Sequence, residues 1–303
     1  MTGKINPALI DVTIPDITGY PEEFELEDTR DVLMCAVRDL AGLDPRIKAT
    51  DFPKEMWIER KDWLEVQKLG EKNRTRAIDF LDRFTNQSPT HECTCHAATS
   101  AQAAIRNRSR RIALGPPVAH QQLPISAQSA SVWLSPLSVY AEANPRKWGG
   151  ANVRQVLEIM LKRGILPDKK QPRDWGFKHT LTGTNGKGNE CQSSGDWVRL
   201  SKFPEGWRET SKHFRPLEVI FPENFEQLVC LLLGGPEAMG LPVVVGGRGH
   251  SIPYMFVDVE EQVIGYPDSY DVIRYDSFRN YRSGGMYAPV SCTLPDDWNK
   301  PAG

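Results

Sequence analysis

An α+β fold is predicted for this chain of 303 residues, and three observations predict it. Up to about residue 165, apolar residues recur mainly at helical spacing. After about residue 240, short apolar runs bounded by glycine and proline take over, as in strands. Between two of those runs, Glu260-Glu261 reads as the turn of a hairpin. Helices first and antiparallel strands afterwards give a helical lobe, a β-rich lobe and a cleft between them.

Residues 1–70 read as an N-terminal extension packed on the body, a pro-segment being the alternative. Within it, Ile10–Pro15 reads as a short strand or extended arm, and Asp28–Leu40 as a short amphipathic helix with an acidic start. A new segment starts at Asp51-Phe52-Pro53, is anchored by Trp57, Trp63, Leu64 and Val66, and stops at Gly70. The helical lobe spans residues 71–165. It opens with Arg74–Phe84, where Ile78, Phe80, Leu81 and Phe84 turn inward, and continues with a helix from about Thr94 to Asn107. Ala97, Ala98, Ala101, Ala103 and Ala104 give that helix a high propensity. The basic run Arg106–Arg111 is read as its solvated end. Ser131–Pro136 precedes a short helix. Asn152–Arg163 is an amphipathic helix with Asn152 as N-cap, Gly164 just past its end, and Val153, Val156, Leu157, Met160 and Leu161 on one face.

The β-rich lobe spans residues 166–303. Residues 166–215 are loop-rich, and Gly183–Asn189 is a surface loop: no Ser or Thr follows its lysine, so it is not a phosphate loop. Pro222–Leu233 reads as a helix with Phe225, Leu228, Val229 and Leu232 on its apolar side. Strands are expected at Leu241–Val245, Ser251–Val259, Gln262–Tyr266 and Met286–Cys292.

Forty per cent hydrophobic and 25% charged residues describe an ordinary globular chain, and a net charge of −2 gives no electrostatic case for nucleic acid or an anionic membrane. No apolar run approaches the ~20 residues of a membrane span. The first residues lack a signal-peptide core, so a cytoplasmic or virion-associated location is expected. The six cysteines are read as mostly free thiols.

Chemistry concentrates in Asn86–Ala98. Cys93 stands at the first turn of a helix, where the positive end of the macrodipole favours a thiolate. Gln87, six residues upstream, can direct an amide N–H to the same space, as an oxyanion donor does. A nucleophilic thiol needs a base, and the base needs an orienter. His250, after the glycine turn Gly246–Gly249, and Asp268, on the hairpin's second strand, can meet at one end of the sheet.

In this order the motifs resemble those of the papain-like cysteine peptidases. The Gln87–Cys93 spacing matches that family's oxyanion donor and nucleophile. Trp133–Pro136 is similar to its Leu-Ser segment, and Gly149-Gly150 to its substrate-lining pair, next to Trp148. Gly240–Val245 is similar to the strand before the catalytic His. Tyr266–Tyr270 falls where Asn-Ser-Trp would be, and Ser283–Tyr287 resembles the closing Gly-Tyr strand. The style is closer to divergent bacterial and phage members. The resemblance covers roughly residues 75–292 and implies a two-lobe fold and a cysteine peptidase with Cys93, His250, Asp268 and Gln87 as catalytic residues. Trp148, Gly149 and Gly150 would line a peptide or protein substrate, with no cofactor and no metal. The chain departs from the family in lacking the Cys-Gly-Ser-Cys element, in carrying Asp268 for Asn and Tyr270 for Trp, and in Asp271 for Gly.

Other readings stay open. Cys95 competes with Cys93 but is expected to turn toward the core. His91, Cys93, Cys95 and His96 form a soft-ligand cluster, yet one packed run does not easily supply a tetrahedral site. A cell-wall amidase of the same superfamily would place its His nearer the Cys than residue 250. The fold is also compatible with an inactive scaffold serving as a structural or interaction component, for instance of a virion or bacterial assembly.

Overall fold

The computed structural model describes residues 45–81, 92–113, 134–143, 151–167, 183–184, 190–191, 205–247, 249–269 and 272–292. Among these described residues are ten strands: β1 Lys48–Asp51, β2 Gly183–Thr184, β3 Glu190–Cys191, β4 Pro216–Phe221, β5 Val243–Gly246, β6 Ile252–Tyr254, β7 Phe256–Asp258, β8 Val263–Asp268, β9 Val272–Ser277 and β10 Gly284–Cys292. Six α-helices accompany them: α1 Trp63–Asn73, α2 Cys93–Ala113, α3 Pro136–Ala143, α4 Val153–Arg163, α5 Trp207–Lys212 and α6 Phe225–Leu233. The mixed α+β class expected from the sequence is the observed one.

The main sheet has the order β1-β4-β10-β5-β6. Only the β1–β4 pair is parallel. Side chains alternate across a strand, and here both faces are covered. Val243 and Val245 of β5, Ile220 of β4 and Ala288 of β10 join the Leu228–Leu233 run of α6. Val244, Val219, Phe221 and Tyr287 point the other way, into a cluster with Ala97 and Ala101 of α2 and Leu157 and Leu161 of α4. The sheet is thus the middle layer of three, which explains why Leu241–Val245 reads as an unbroken apolar run rather than an alternating one.

Helix α2 is buried on several sides. Besides the sheet, its Cys95 and Ala98 meet Val139 and Tyr140 of α3 and Val156 and Met160 of α4. Ala104 meets Ala77, Phe80 and Met255. Alanines at these positions let sheet and helices come close, and a longer side chain would hold them apart. The helix runs further than the sequence suggests, to Ala113. Arg106 is not solvated as expected from the basic run. It is buried, with its guanidinium 3.9 Å from the Phe214 ring centroid, a cation–π contact that compensates lost hydration.

Other boundaries moved for local reasons. Helix α1 passes through Gly70 to Asn73 and stops at Arg74, in the left-handed region at φ 54°. Helix α6 starts at Phe225 because the Asn224 side chain accepts from the Gln227 N–H at 2.9 Å, a cap three residues later than expected. Asn152 caps α4 as expected, accepting from Gln155 N–H at 2.7 Å. The single strand expected at Ser251–Val259 breaks at Met255, so that β6 pairs with β5 while β7 pairs with β8. Within residues 166–215, read as loop, Trp207–Lys212 forms α5, and Gly183–Thr184 pairs antiparallel with Glu190–Cys191. Strands β1, β4 and β9 were not anticipated. Through β1 and α1, the described part of residues 1–70 joins the sheet and the α6 layer. The expected strand at Ile10–Pro15 and the helix at Asp28–Leu40 lie outside the described residues, as do residues 185–189 of the surface loop.

The second sheet, β7-β8-β9, is antiparallel throughout. It continues from β6 and carries Asp268 at the end of β8. Among the described residues no helix is long and apolar enough to cross a membrane.

The close approach of α2 to the sheet makes Ala101 a sensitive position. Ala101→Leu is expected to destabilise the fold by about 1–3 kcal/mol through overpacking. At roughly 2–4 °C per kcal/mol for a chain of this size, calorimetry reads the loss directly. An unchanged melting temperature would contradict the packing described.

Candidate active site

Three elements converge on one point. Cys93 is the first residue of α2, so its thiol lies at the positive end of the helix and is buried. His250 precedes β6 and follows a turn in which Gly247 (φ 134°) and Gly249 (φ 68°) adopt conformations that disfavour a Cβ. The His250 N–H closes that turn on the Gly247 carbonyl at 3.1 Å. Asp268 ends β8, with only 5% of its side chain exposed.

The His250 Nε2 and Asp268 Oδ1 are 3.0 Å apart. That contact leaves Nδ1 as the ring nitrogen for the Cys93 thiol, with which the imidazole also interacts by hydrogen bond and charge. Cys93, His250 and Asp268 therefore form one continuous line. Gln87, Trp148, Gly149 and Gly150 lie outside the described residues, as do Tyr270 and Asp271.

The electrostatics follow from this line. Burial pushes the Cys93 thiol upward. The hydrogen bond and charge of His250 and the Ser251 backbone N–H outweigh it, and the thiol ends below its ordinary value. Burial pushes His250 downward, but its contacts with Asp268 and Cys93 raise it to about 9. Burial likewise opposes ionisation of Asp268, and His250, Arg274 and the Ser269 N–H keep its carboxyl below the usual range. All three directions favour a thiolate–imidazolium pair. Cys95 behaves oppositely: fully buried and near Glu92, its thiol is pushed well up. It faces the core, as the sequence suggests, and is chemically quiet.

Thr94 and Ser251 set the distance between the helix and the His strand. The Thr94 hydroxyl donates to the Ala151 carbonyl at 2.7 Å, just before α4. Its single proton is thereby used, so the Ser251 hydroxyl donates to Thr94 Oγ1 at 2.9 Å. One turn along α2, Glu92 and His96 are buried beside each other, with Oε2 and Nε2 3.5 Å apart.

Behind His250 stands a polar wall that the sequence did not disclose. In the β8–β9 register, Tyr266 faces Arg274 and Asp268 faces Val272. Arg274 and Asp276 share one face of β9. Arg274 Nε approaches Asp268 Oδ2 to 2.6 Å, off the hydrogen-bond axis, so the contact is Coulombic. Asp276 Oδ2 accepts the Tyr254 hydroxyl at 2.6 Å and lies 3.3 Å from Arg282 Nε. Arg282 Nη1 donates to the His250 carbonyl at 3.4 Å. The only available signal was the pair of charges, two apart, in Val-Ile-Arg-Tyr-Asp-Ser.

Among solved structures, the chain is similar to xylellain, a cysteine protease from Xylella fastidiosa. The identity is 13%, 69% of this chain and 82% of that chain are covered, and the TM-score is 0.47. No protein-family model matches the chain, and no curated protein matches it.

The charges predict which thiol reacts. Cys93 should be carbamidomethylated by iodoacetamide well below pH 8, whereas Cys95 and Cys230, both pushed upward by burial, should not. In His250→Ala the two strongest contacts that oppose burial are gone, so the onset of Cys93 labelling moves to higher pH. Peptide mass spectrometry of labelled protein across pH 5–10, roughly the range from below the thiol onset to above it, measures both effects.

Proposed function

We propose that this chain is a cysteine peptidase that hydrolyses peptide bonds through Cys93, His250 and Asp268. One observation carries the reading: three residues far apart in sequence meet as thiol, imidazole and carboxylate in an order suited to nucleophilic catalysis. The finer architecture we propose with it is papain-like, with a helical lobe over residues 71–165, a β-rich lobe over 166–303 and a substrate cleft at their junction. Residues 1–70 form an extension on this body.

The proposed chemistry is acyl transfer in two halves. The Cys93 thiolate attacks the substrate carbonyl carbon, and the carbonyl π electrons move to oxygen. The Cys93 backbone N–H, at the first turn of the helix, stabilises that oxyanion together with the Gln87 side chain. His250, as imidazolium, gives its proton to the leaving nitrogen as the C–N bond breaks, leaving a thioester on Cys93. Neutral His250 then takes a proton from water, whose oxygen attacks the thioester. Collapse expels the Cys93 thiolate, and the imidazolium is restored. Asp268 keeps the ring oriented through both halves. Trp148, Gly149 and Gly150 are proposed to line the bound peptide.

Cys93→Ala removes the nucleophile and is expected to reduce hydrolysis of an unfolded protein or fluorogenic peptide pool by at least about 10³-fold. Its melting temperature should stay near that of wild type, because only a sulfur is lost. Wild-type protein that labels readily at Cys93 but cleaves no peptide in a broad pool would sink the peptidase reading and favour the scaffold.

A further inference from the structure

We propose that Arg274 is a positioning residue that partly offsets the charge of Asp268, so that the carboxylate orients His250 without its full charge acting on the ring. This rests on the reading of Cys93, His250 and Asp268 as the reacting line. Its test reads the imidazole itself, so it can fail independently of any hydrolysis assay.

The geometry places the two partners on opposite sides of one carboxylate. Asp268 Oδ1 meets His250 Nε2 at 3.0 Å, and Oδ2 meets Arg274 Nε at 2.6 Å. Adjacent antiparallel strands fix the arrangement, since Asp268 and Arg274 belong to β8 and β9 in continuous register. Among the described residues, these charged and titratable groups are packed around His250 and its two partners. Cys93 approaches from α2, Asp268 from β8, Arg274 and Asp276 from β9, Arg282 from the segment before β10, and Tyr254 and Tyr266 from β6 and β8. Asp276 is paired with Arg282 at 3.3 Å. Asp268 and Asp276 are thus each matched by an arginine, Asp268 by Arg274 and Asp276 by Arg282.

This balance matters most in the second half of the proposed cycle. While Cys93 is a thiolate, it and Asp268 both hold the proton on His250. Once Cys93 is acylated its charge is gone, and Asp268 is the remaining anion against the ring. An uncompensated carboxylate in this half-buried setting would keep His250 protonated, and a protonated imidazole cannot accept a proton from water. Arg274 offsets that pull while leaving the Oδ1 contact, and hence the ring orientation, in place.

The test is an NMR titration of His250 in uniformly labelled full-length protein, assigned by a His250→Gln variant. Removing the guanidinium in Arg274→Gln should move the His250 midpoint upward by about half a pH unit or more. Arg274→Lys, which keeps the charge, should stay near wild type. Asp268→Asn alone should move the midpoint down. Asp268→Asn combined with Arg274→Gln restores neutrality and should return the midpoint toward wild type. If hydrolysis is detected, Arg274→Gln should lower kcat at pH 7 with KM little changed, and recover as pH rises. A His250 midpoint unmoved or lowered in Arg274→Gln overturns the proposal, leaving Arg274 as a strand-to-strand tie. Should Arg274→Gln fail to fold, the double variant decides: a midpoint as low as that of Asp268→Asn alone overturns the proposal equally.

Discussion

The first turn of α2 has to rest against the corner between β5 and β6, and most of this structure serves that contact. Thr94 is its hub. One hydroxyl joins the helix to the Ala151 carbonyl ahead of α4 and to Ser251 at the start of β6. Cys93 and His250 are the chain neighbours of those two hydroxyl residues, so the bond that joins the elements also sets thiol against imidazole. Such proximity is possible only if the helix axis can approach the sheet. Ala97 and Ala101 against Val244 and Tyr287 permit it, and Gly246 opposite Gly284 leaves room at the strand ends.

Burial then creates an electrostatic problem that the same contacts solve. A thiolate, an imidazolium and a carboxylate are each disfavoured by the apolar surroundings, and burial is the largest influence on all three. Alone, each would be pushed toward its neutral form. Charged together they compensate one another, which is why their values shift toward ionisation. Cys95, two residues away without such a partner, shows what burial does unopposed. Two cysteines of the same helix turn thus differ in reactivity because of what faces them.

What the sequence disclosed followed from this chemistry. Cys93, His250 and Asp268 stood out because each carries a rare functional group beside a local signal: a helix start, a glycine turn, a hairpin. An inner strand of the sheet was legible through Leu241–Val245, an apolar run suited to a doubly covered strand. Strand β1, Lys-Ala-Thr-Asp, carries no alternation and gains its structure from Glu218–Phe221, some 170 positions away. Strand β9 was unreadable for a different reason. Its Arg274 and Asp276 occupy positions where an amphipathic strand would place apolar residues, and they do so because their partners are charged or polar. Arg106 was misjudged likewise, since the Phe214 ring that covers it comes from another part of the chain.

The two arginine–aspartate pairs around β9 are not explained by stability. Partly buried ion pairs repay little beyond their desolvation, and apolar residues of similar size would serve the fold as well. What apolar residues could not do is grip His250 at both ends. Asp268, paired with Arg274, holds the ring at Nε2, while Arg282, paired with Asp276, holds the backbone carbonyl of the same residue. A histidine preceded by a glycine-rich turn has backbone freedom and two side-chain torsions to lose on folding. Clamping the carbonyl removes the first freedom and clamping the ring removes the second. Each clamp carries a cation and an anion, so each aspartate that it uses is matched by an arginine. The wall built on β9 is therefore better understood as the mounting of His250 than as part of the core, and its polar character is the consequence of that task.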